Sequence, residues 1–398
     1  MMSRKLWNPD DLDRMRMESD PVGDAVVDTF ENDSTLAATL LDSLVRTGEP
    51  TPDHSELLRT FRQQNRSLPP WADKAKILQA QELLSGNLVP GTILLAAASL
   101  PQCYLDRLGT PVLTSTHQLT DHVFRRLIQT SHMVFTVYEP GSLFDDPNEP
   151  EKIPTGIHKA QTVRLMHALM RHLLLAPESH QEARSMAGVL WSRRWDVERY
   201  GKPVNQEDEA LVLLTFSYIT IEGFERLALI LDDGQKEAIL HLWNCVGYIM
   251  GINEGLMAHT YADAKILYST MMARLRGVST EGQMLTKSLV EWINSLLPPF
   301  LRWFDAGGEM VNFFNGDEDA AMLGVGPSGL DSVVHSVIAA LLPPSEKVAR
   351  KVGQKHPFTT LVNYLADKMI DKVWEATESG SRNIEWPDHV RVAAGRGR

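Results

Sequence analysis

Residues 161–175, QTVRLMHALMRHLLL, constrain this chain more than any other stretch. The spacing is helical, and Val163, Leu165, Met166, Leu169, Met170, Leu173 and Leu174 leave no polar side wide enough for a surface helix. A helix apolar all round is buried. This one also carries Arg164, His167, Arg171 and His172. At about 100° per residue, Arg164, His167 and Arg171 share an arc of about 60° on three successive turns, with His172 to one side. A guanidinium in an apolar setting is costly unless an anion meets it. Any fold for this chain must therefore bring an anionic partner to that stripe.

Composition narrows the classes that can do so. The chain has 398 residues, is 43% hydrophobic and 23% charged, and carries a net charge of -12. That balance is globular, and it argues against nonspecific binding to nucleic acid or to an anionic membrane surface. Two cysteines, Cys103 and Cys245, make no disulfide framework and no paired zinc site, so they read as buried small hydrophobes in a reducing compartment. The N-terminal residues are polar and lack the apolar centre of a secretion signal. The longest apolar runs, near 88–100 and 211–221, fall short of the roughly 20 residues that span a bilayer. The expectation is a cytoplasmic protein with no transmembrane segment and no nucleic-acid partner.

No segment shows sustained two-residue alternation, so the fold class read here is all-α. Residues 1–66 read as a peripheral helical lead-in, with helices at 24–30, 34–45 and 55–64. A helix at 72–85 precedes a buried run, 89–99, whose small residues Ala96–Ser99 suit tight helix packing or the close approach of a flat group. Pro101, Gly109 and Pro111 interrupt the stretch 100–113. Further helices are expected at 116–137, 161–175, 210–231, 235–251, 259–275, 282–297, 329–342 and 358–377. Asn205 is the expected N-cap of the 210–231 helix, with Glu207 and Asp208 at its positive end.

Most familiar motifs are missing. The sequence has no P-loop, no GxSxG, no HExxH and no Glu-x-x-His pair for a di-iron centre. Its one GxGxxG string, residues 324–329, contains Pro327 and comes after no strand, so it reads as a loop. Of 13 histidines, seven lie between His117 and His180, and only His167 stands on an apolar helix in line with two arginines. His167 and His172 are five apart and do not aim at one small ion on a regular helix. Spacing leaves two readings open. One is a planar iron cofactor ligated by one neutral imidazole, its two carboxylate arms met by Arg164 and Arg171. The other is a buried salt-bridge network with carboxylates such as Glu207, Asp208 or Glu222 from neighbouring helices.

Arg164-x-x-His167-x-x-x-Arg171-His172 resembles the signature of the latex-clearing protein (rubber oxygenase) family, which includes the MpaB-type oxygenases. Further pieces stand in the family's order: Trp71 shortly after a Leu-Pro, Arg126-Leu-Ile-Gln129-Thr130, the 203–208 segment with Gln206 and Asp208, Thr215-Phe216, and His241-Leu-Trp243. The resemblance covers roughly residues 67–300. It implies a single large helical domain with a globin-like core around haem b. His167 is then the iron ligand, and Arg164, Arg171 and Thr215 bind the cofactor. Arg126, Gln129 and Thr130 face it as the catalytic side, and O₂ is the co-substrate. The implied activity is oxidation or cleavage of a carbon–carbon double bond in an apolar, isoprenoid-like substrate. The implied division is 1–66 lead-in, 67–300 catalytic domain, 301–378 C-terminal helices packed on the core, and 379–398 disordered tail.

Two departures from the family bear on substrate. Gln129 stands where latex-clearing proteins carry a Lys able to reach the distal iron position. No Glu precedes that helix, and Asp106 is the nearest carboxylate. Both point away from polyisoprene and toward a smaller apolar substrate. A haem carrier or sensor without turnover, and a cofactor-free helical interaction protein, are the alternatives.

Overall fold

The computed structural model describes residues 5–29, 34–47, 55–115, 123–186, 194–227, 229–296 and 305–326. Every regular element among them is helical, apart from one isolated bridge between Asp106 and Arg276. The order is α1 (Pro9–Arg16), α2 (Pro21–Asp28), α3 (Ser34–Thr47), α4 (Ser55–Gln64), α5 (Lys74–Ser85), α6 (Leu88–Leu94), a π-helical turn (Leu95–Ser99), α7 (Leu100–Tyr104), α8 (Thr110–Thr114), α9 (Val123–Tyr138), α10 (Thr155–Leu175), α11 (Gln181–Met186), α12 (Val197–Tyr200), α13 (Gln206–Arg226), α14 (Asp233–Met250), α15 (Tyr261–Leu275), α16 (Thr280–Leu296), α17 (Ala306–Asn315) and α18 (Asp317–Met322). The expected helices at 329–342 and 358–377 and the tail lie outside the described residues. No single helix among the described residues is long and apolar enough to cross a membrane.

The anomalous helix is α10, and it begins at Thr155, two turns before the apolar pattern does. It packs against α2, α3, α9 and α14. Its two ends serve different cores. Ile157 and Ala160 belong to a large hydrophobic cluster that includes α5, α9 and α13–α17. Leu165, Ala168, Leu169, Leu173 and Leu174 belong to a second cluster with α2, α3 and α4. Each fully buried Leu there contributes about 1.5–3 kcal/mol, which outweighs the weak helical preference of any single residue.

Local chemistry fixes the neighbours of α10. Asn205 caps α13 by accepting from the Asp208 N–H at 3.0 Å, as the sequence suggested. Asp232 caps α14 in a reciprocal box with Gln235, and Gly251 ends it in the left-handed region at φ 86°. The expected extension of α13 to residue 231 does not occur, and the helix stops at Arg226.

Two further expectations are corrected. The lead-in is not peripheral: Leu12 and Asp20 are 0% and 1% exposed, and α1 packs on α13. Pro101 does not interrupt its segment either. A helix interior containing proline leaves one carbonyl four residues back without a donor. That carbonyl is Ala97 O, and the Asn315 side chain donates to it at 2.8 Å. The preceding π turn, closed by Leu100 N–H to Leu95 O, lets the chain stay helical through the proline.

Candidate functional site

The anionic partners of the α10 stripe come from three places. Arg164 lies in a forked pair with Asp20, Nε to Oδ2 and Nη2 to Oδ1, both at 2.6 Å, and its Nη1 donates to the Ile249 carbonyl at 3.0 Å. Arg171 donates through Nε to Asp24 Oδ1 at 2.8 Å and through Nη1 to the Val204 carbonyl at 2.7 Å. Both guanidiniums are thus neutralised from α2 and its N-cap. The expectation from the sequence was that they meet the carboxylate arms of a cofactor; in the structure each has an aspartate as its anion. A buried guanidinium takes whatever anion the fold holds nearest, and Asp20, the N-cap of α2, is already fixed there by accepting from Val22 and Gly23 N–H. Gly251 makes room for the pair: a Cβ on it would stand 2.7 Å from the Asp20 carboxylate and 2.8 Å from Arg164 Nη2.

His167, between them, is different. Its side chain is 30% exposed, against 7% for Arg164 and 3% for Arg171. Its Nδ1 lies 3.0 Å from Oε1 of Glu209, in the first turn of α13. A carboxylate only accepts, so Nδ1 carries the hydrogen of this contact, and Nε2 is the nitrogen that Glu209 does not engage. The face of α13 that carries Glu209 continues along its axis as Val212, Phe216 and Ile219, within an arc of about 80°. These three are not sealed in the core: Val212 is 37% exposed and the other two are half-buried. An imidazole with one nitrogen tied and an open edge, beside an incompletely covered apolar face, fits the donor set of a single-histidine haem. The residues present fit that group through His167, and not through the two arginines.

Known proteins share this arrangement of helices. The family model described as "ER-bound oxygenase mpaB/B'/Rubber oxygenase, catalytic domain" matches residues 92–346. The chain belongs to the mpaB/rubber oxygenase family. A rubber oxygenase from Streptomyces sp. (strain K30) is 24% identical over 279 residues, 69% of this chain. The match spans 62% of the length of that curated relative. The solved structure of latex clearing protein LCP in the closed state superposes with a TM-score of 0.64 at 21% identity, covering 92% of this chain and 91% of that one. The all-α class read from the sequence is therefore the fold of the mpaB/rubber oxygenase family, and the chain carries that family's oxygenase catalytic domain.

Several family motif positions prove to be packing partners of one another. Phe216 stacks on Trp243 with centroids 5.1 Å apart. Trp71 meets His241 edge-on at 5.6 Å and donates to Glu254 at 2.8 Å. Gln206 ties three segments: it donates to the carbonyls of Ser19 and Gly251 and accepts from Asn253 N–H. Thr215, expected at the cofactor, is instead sealed. It is 0% exposed, its hydroxyl donates to Val212 O, and Cys103 Sγ lies 3.1 Å away. It sits about a third of a turn round α13 from Glu209, on the side packed against α7 and the π turn. The side chains of Arg126 and Gln129 lie outside the described residues. Thr130 is half-buried on α9, which packs on α10.

Asp106 is not placed as a base near His167. It accepts from Leu108 and Gly109 N–H, both at 2.9 Å, and joins a second charged cluster. There Arg16 meets Asp208 at 2.8 Å and Glu207 at 3.4 Å, and Arg274 meets Glu207 at 3.0 Å. Burial pushes the Asp208 carboxyl well above the usual range; Arg16 pulls it back, and Asp106 and Glu207 push it further up. Burial likewise raises Glu207. A cavity of about 480 Å³ opens beside this cluster, lined in part by Asp13, Arg16, Leu108 and Arg274, and by no residue of α10. Glu209, the partner of His167, is the residue of this site that sequence reasoning passed over. Its signal was its place on the first turn of a well-capped helix, among four consecutive residues of similar polarity, Gln206–Glu209.

Proposed function

We propose that this chain is a haem b-dependent oxygenase that uses O₂ to oxidise or cleave a carbon–carbon double bond in an apolar, isoprenoid-like substrate. The observation that carries the reading is the half-open His167, tied at Nδ1 to Glu209 beside the apolar face of α13. The family supports the oxygenase class. Haem b, when bound, supplies the activation of O₂. Cleavage of one C=C bond by one O₂ gives two carbonyl groups and requires no external reductant.

The chain's own residues do the rest. His167 offers Nε2 as the single ligand, because Glu209 holds its other nitrogen protonated. Val212, Phe216 and Ile219 exclude water and accept a flat apolar group. Arg164 and Arg171 anchor α10 to α2 through Asp20 and Asp24, one turn to either side of His167 on the same face, so the helix that carries the ligand is held in place. Arg126, Gln129 and Thr130 on α9 are assigned the substrate side. Gln129 is a neutral amide where the family's latex-clearing members have Lys, so it would be a poor competing ligand for the group that His167 would hold.

The purified protein supplied with haem shows a Soret band in this reading, and His167→Ala abolishes most of it. Oxygen uptake with unsaturated terpenoids then reports turnover. Full haem content in His167→Ala overturns the assignment. The paired arginines by themselves also suit a cofactor-free network, and a colourless, fully folded protein after haem supply establishes that alternative.

A further inference from the structure

We infer that Glu209 is the positioning residue that sets the electron-donating strength of His167, and hence the reduction potential of the iron centre. The inference rests on the haem reading above and deepens it. A ligating histidine whose free N–H points at a neutral carbonyl stays a neutral imidazole. One whose N–H points at a carboxylate gains imidazolate character and becomes a stronger donor. Here the acceptor is a carboxylate, at 3.0 Å.

Three observations leave that carboxylate's charge directed at His167. The Glu209 side chain is 3% exposed, so water does not screen it. Its Oε2 has no hydrogen-bond partner among the described residues, which is rare for a buried polar atom and calls for a reason. Its nearest cation, Arg171 Nη1, is 3.9 Å away, beyond hydrogen-bond distance, and that guanidinium is held by Asp24 and the Val204 carbonyl. The first turn of α13, with backbone N–H groups at the positive end of the helix, favours an anion at this position. An anion at hydrogen-bond distance from the ligand stabilises the more positive ferric state over the ferrous one.

The test uses the full chain loaded with haem b. Glu209→Gln keeps an acceptor oxygen and removes the charge. Its haem affinity falls about 10–100-fold. Its midpoint potential rises by at least the 59 mV that corresponds to a tenfold change in ferric over ferrous preference for a one-electron couple. Glu209→Asp retains the charge and recovers part of the shift. A Glu209→Gln protein that binds haem at the parent potential overturns the proposal and leaves Glu209 as a structural partner of Arg171. If Glu209→Gln does not fold, the parent protein alone decides: its ferrous iron–imidazole stretching frequency stands above that of haem bound by free imidazole in water, and an equal frequency refutes the idea. A parent protein without a Soret band removes the haem reading and this inference together, an outcome distinct from all the others.

Discussion

Asp20 and Arg164 are joined by two hydrogen bonds of 2.6 Å, and the same carboxylate caps α2 through Val22 and Gly23 N–H. One side chain therefore ends a helix and neutralises a buried charge 144 residues away in sequence. Removing one member of a buried ion pair costs about 3–5 kcal/mol, because the other is left without a partner. Asp20→Asn lowers stability by that order in denaturant titrations. Asp20→Asn with Arg164→Met loses less than Asp20→Asn alone. A cost below about 1 kcal/mol for the single variant would show that the pair does not hold α2 to α10.

Gly251 distinguishes crowding from backbone strain. At φ 86° any residue but glycine is strained by roughly 1–2 kcal/mol, and asparagine relieves part of that. Relief is not available here, because the added Cβ meets the Asp20–Arg164 pair itself. Gly251→Asn and Gly251→Ala both lose about 2 kcal/mol or more by melting analysis. Gly316, at φ 83° with nothing within 4 Å of an added Cβ, accepts Asn with a loss below about 1 kcal/mol. Equal tolerance at the two positions contradicts the crowding argument.

His158, near the start of α10, gives the acid side of the stability curve. Burial, and then Arg62 and Lys159, push it down to about 3 from an ordinary 6.5. Above pH 6.5 it is neutral folded and unfolded, and adds no pH dependence. Between pH 6.5 and about 3 the unfolded chain takes up a proton that the folded chain refuses, so stability falls as pH falls. The slope is at most about 1.4 kcal/mol per pH unit. Denaturation midpoints of parent and His158→Gln, compared at pH 7 and pH 5, should differ in their pH dependence by up to about 2 kcal/mol, the variant being the flatter. Parallel curves rule out His158 as a source of acid lability.

Asn315 and Pro101 are coupled through a carbonyl neither of them owns. Asn315→Ala leaves Ala97 O buried without a donor and costs about 1–3 kcal/mol. Pro101→Ala restores a backbone N–H to that carbonyl, so the double variant is less damaged than the sum of the singles. A double-mutant cycle in denaturant reads the coupling directly, and strict additivity refutes it.

The same particulars mark what was legible in the sequence. The burial of α10 followed from its apolar periphery, and the cap of α13 from Asn205, because both are properties of contiguous residues. The demand for an anion opposite Arg164 and Arg171 was equally legible. Its source was not: Asp20 and Asp24 stand in a segment that looks peripheral, and only chain folding brings them to α10. For the Arg/His stripe as a whole the carboxylates considered included Glu207, Asp208 and Glu222, and the partner His167 takes is Glu209. One step along a helix turns a side chain by about 100°, so docking rotation, not spacing, chooses among neighbours. Pro101 misled for the opposite reason, since a local rule holds until a distant side chain supplies the missing donor.

The lodging of α10's charges in α2 has a consequence for where this catalytic domain ends. The family model matches residues 92–346, and Asp20 and Asp24 fall outside that stretch. The matched stretch and the mechanically complete unit have different borders here. A fragment trimmed to the recognisable portion keeps the histidine and both arginines, and discards the counter-charges that let the helix bearing them stay inside the molecule.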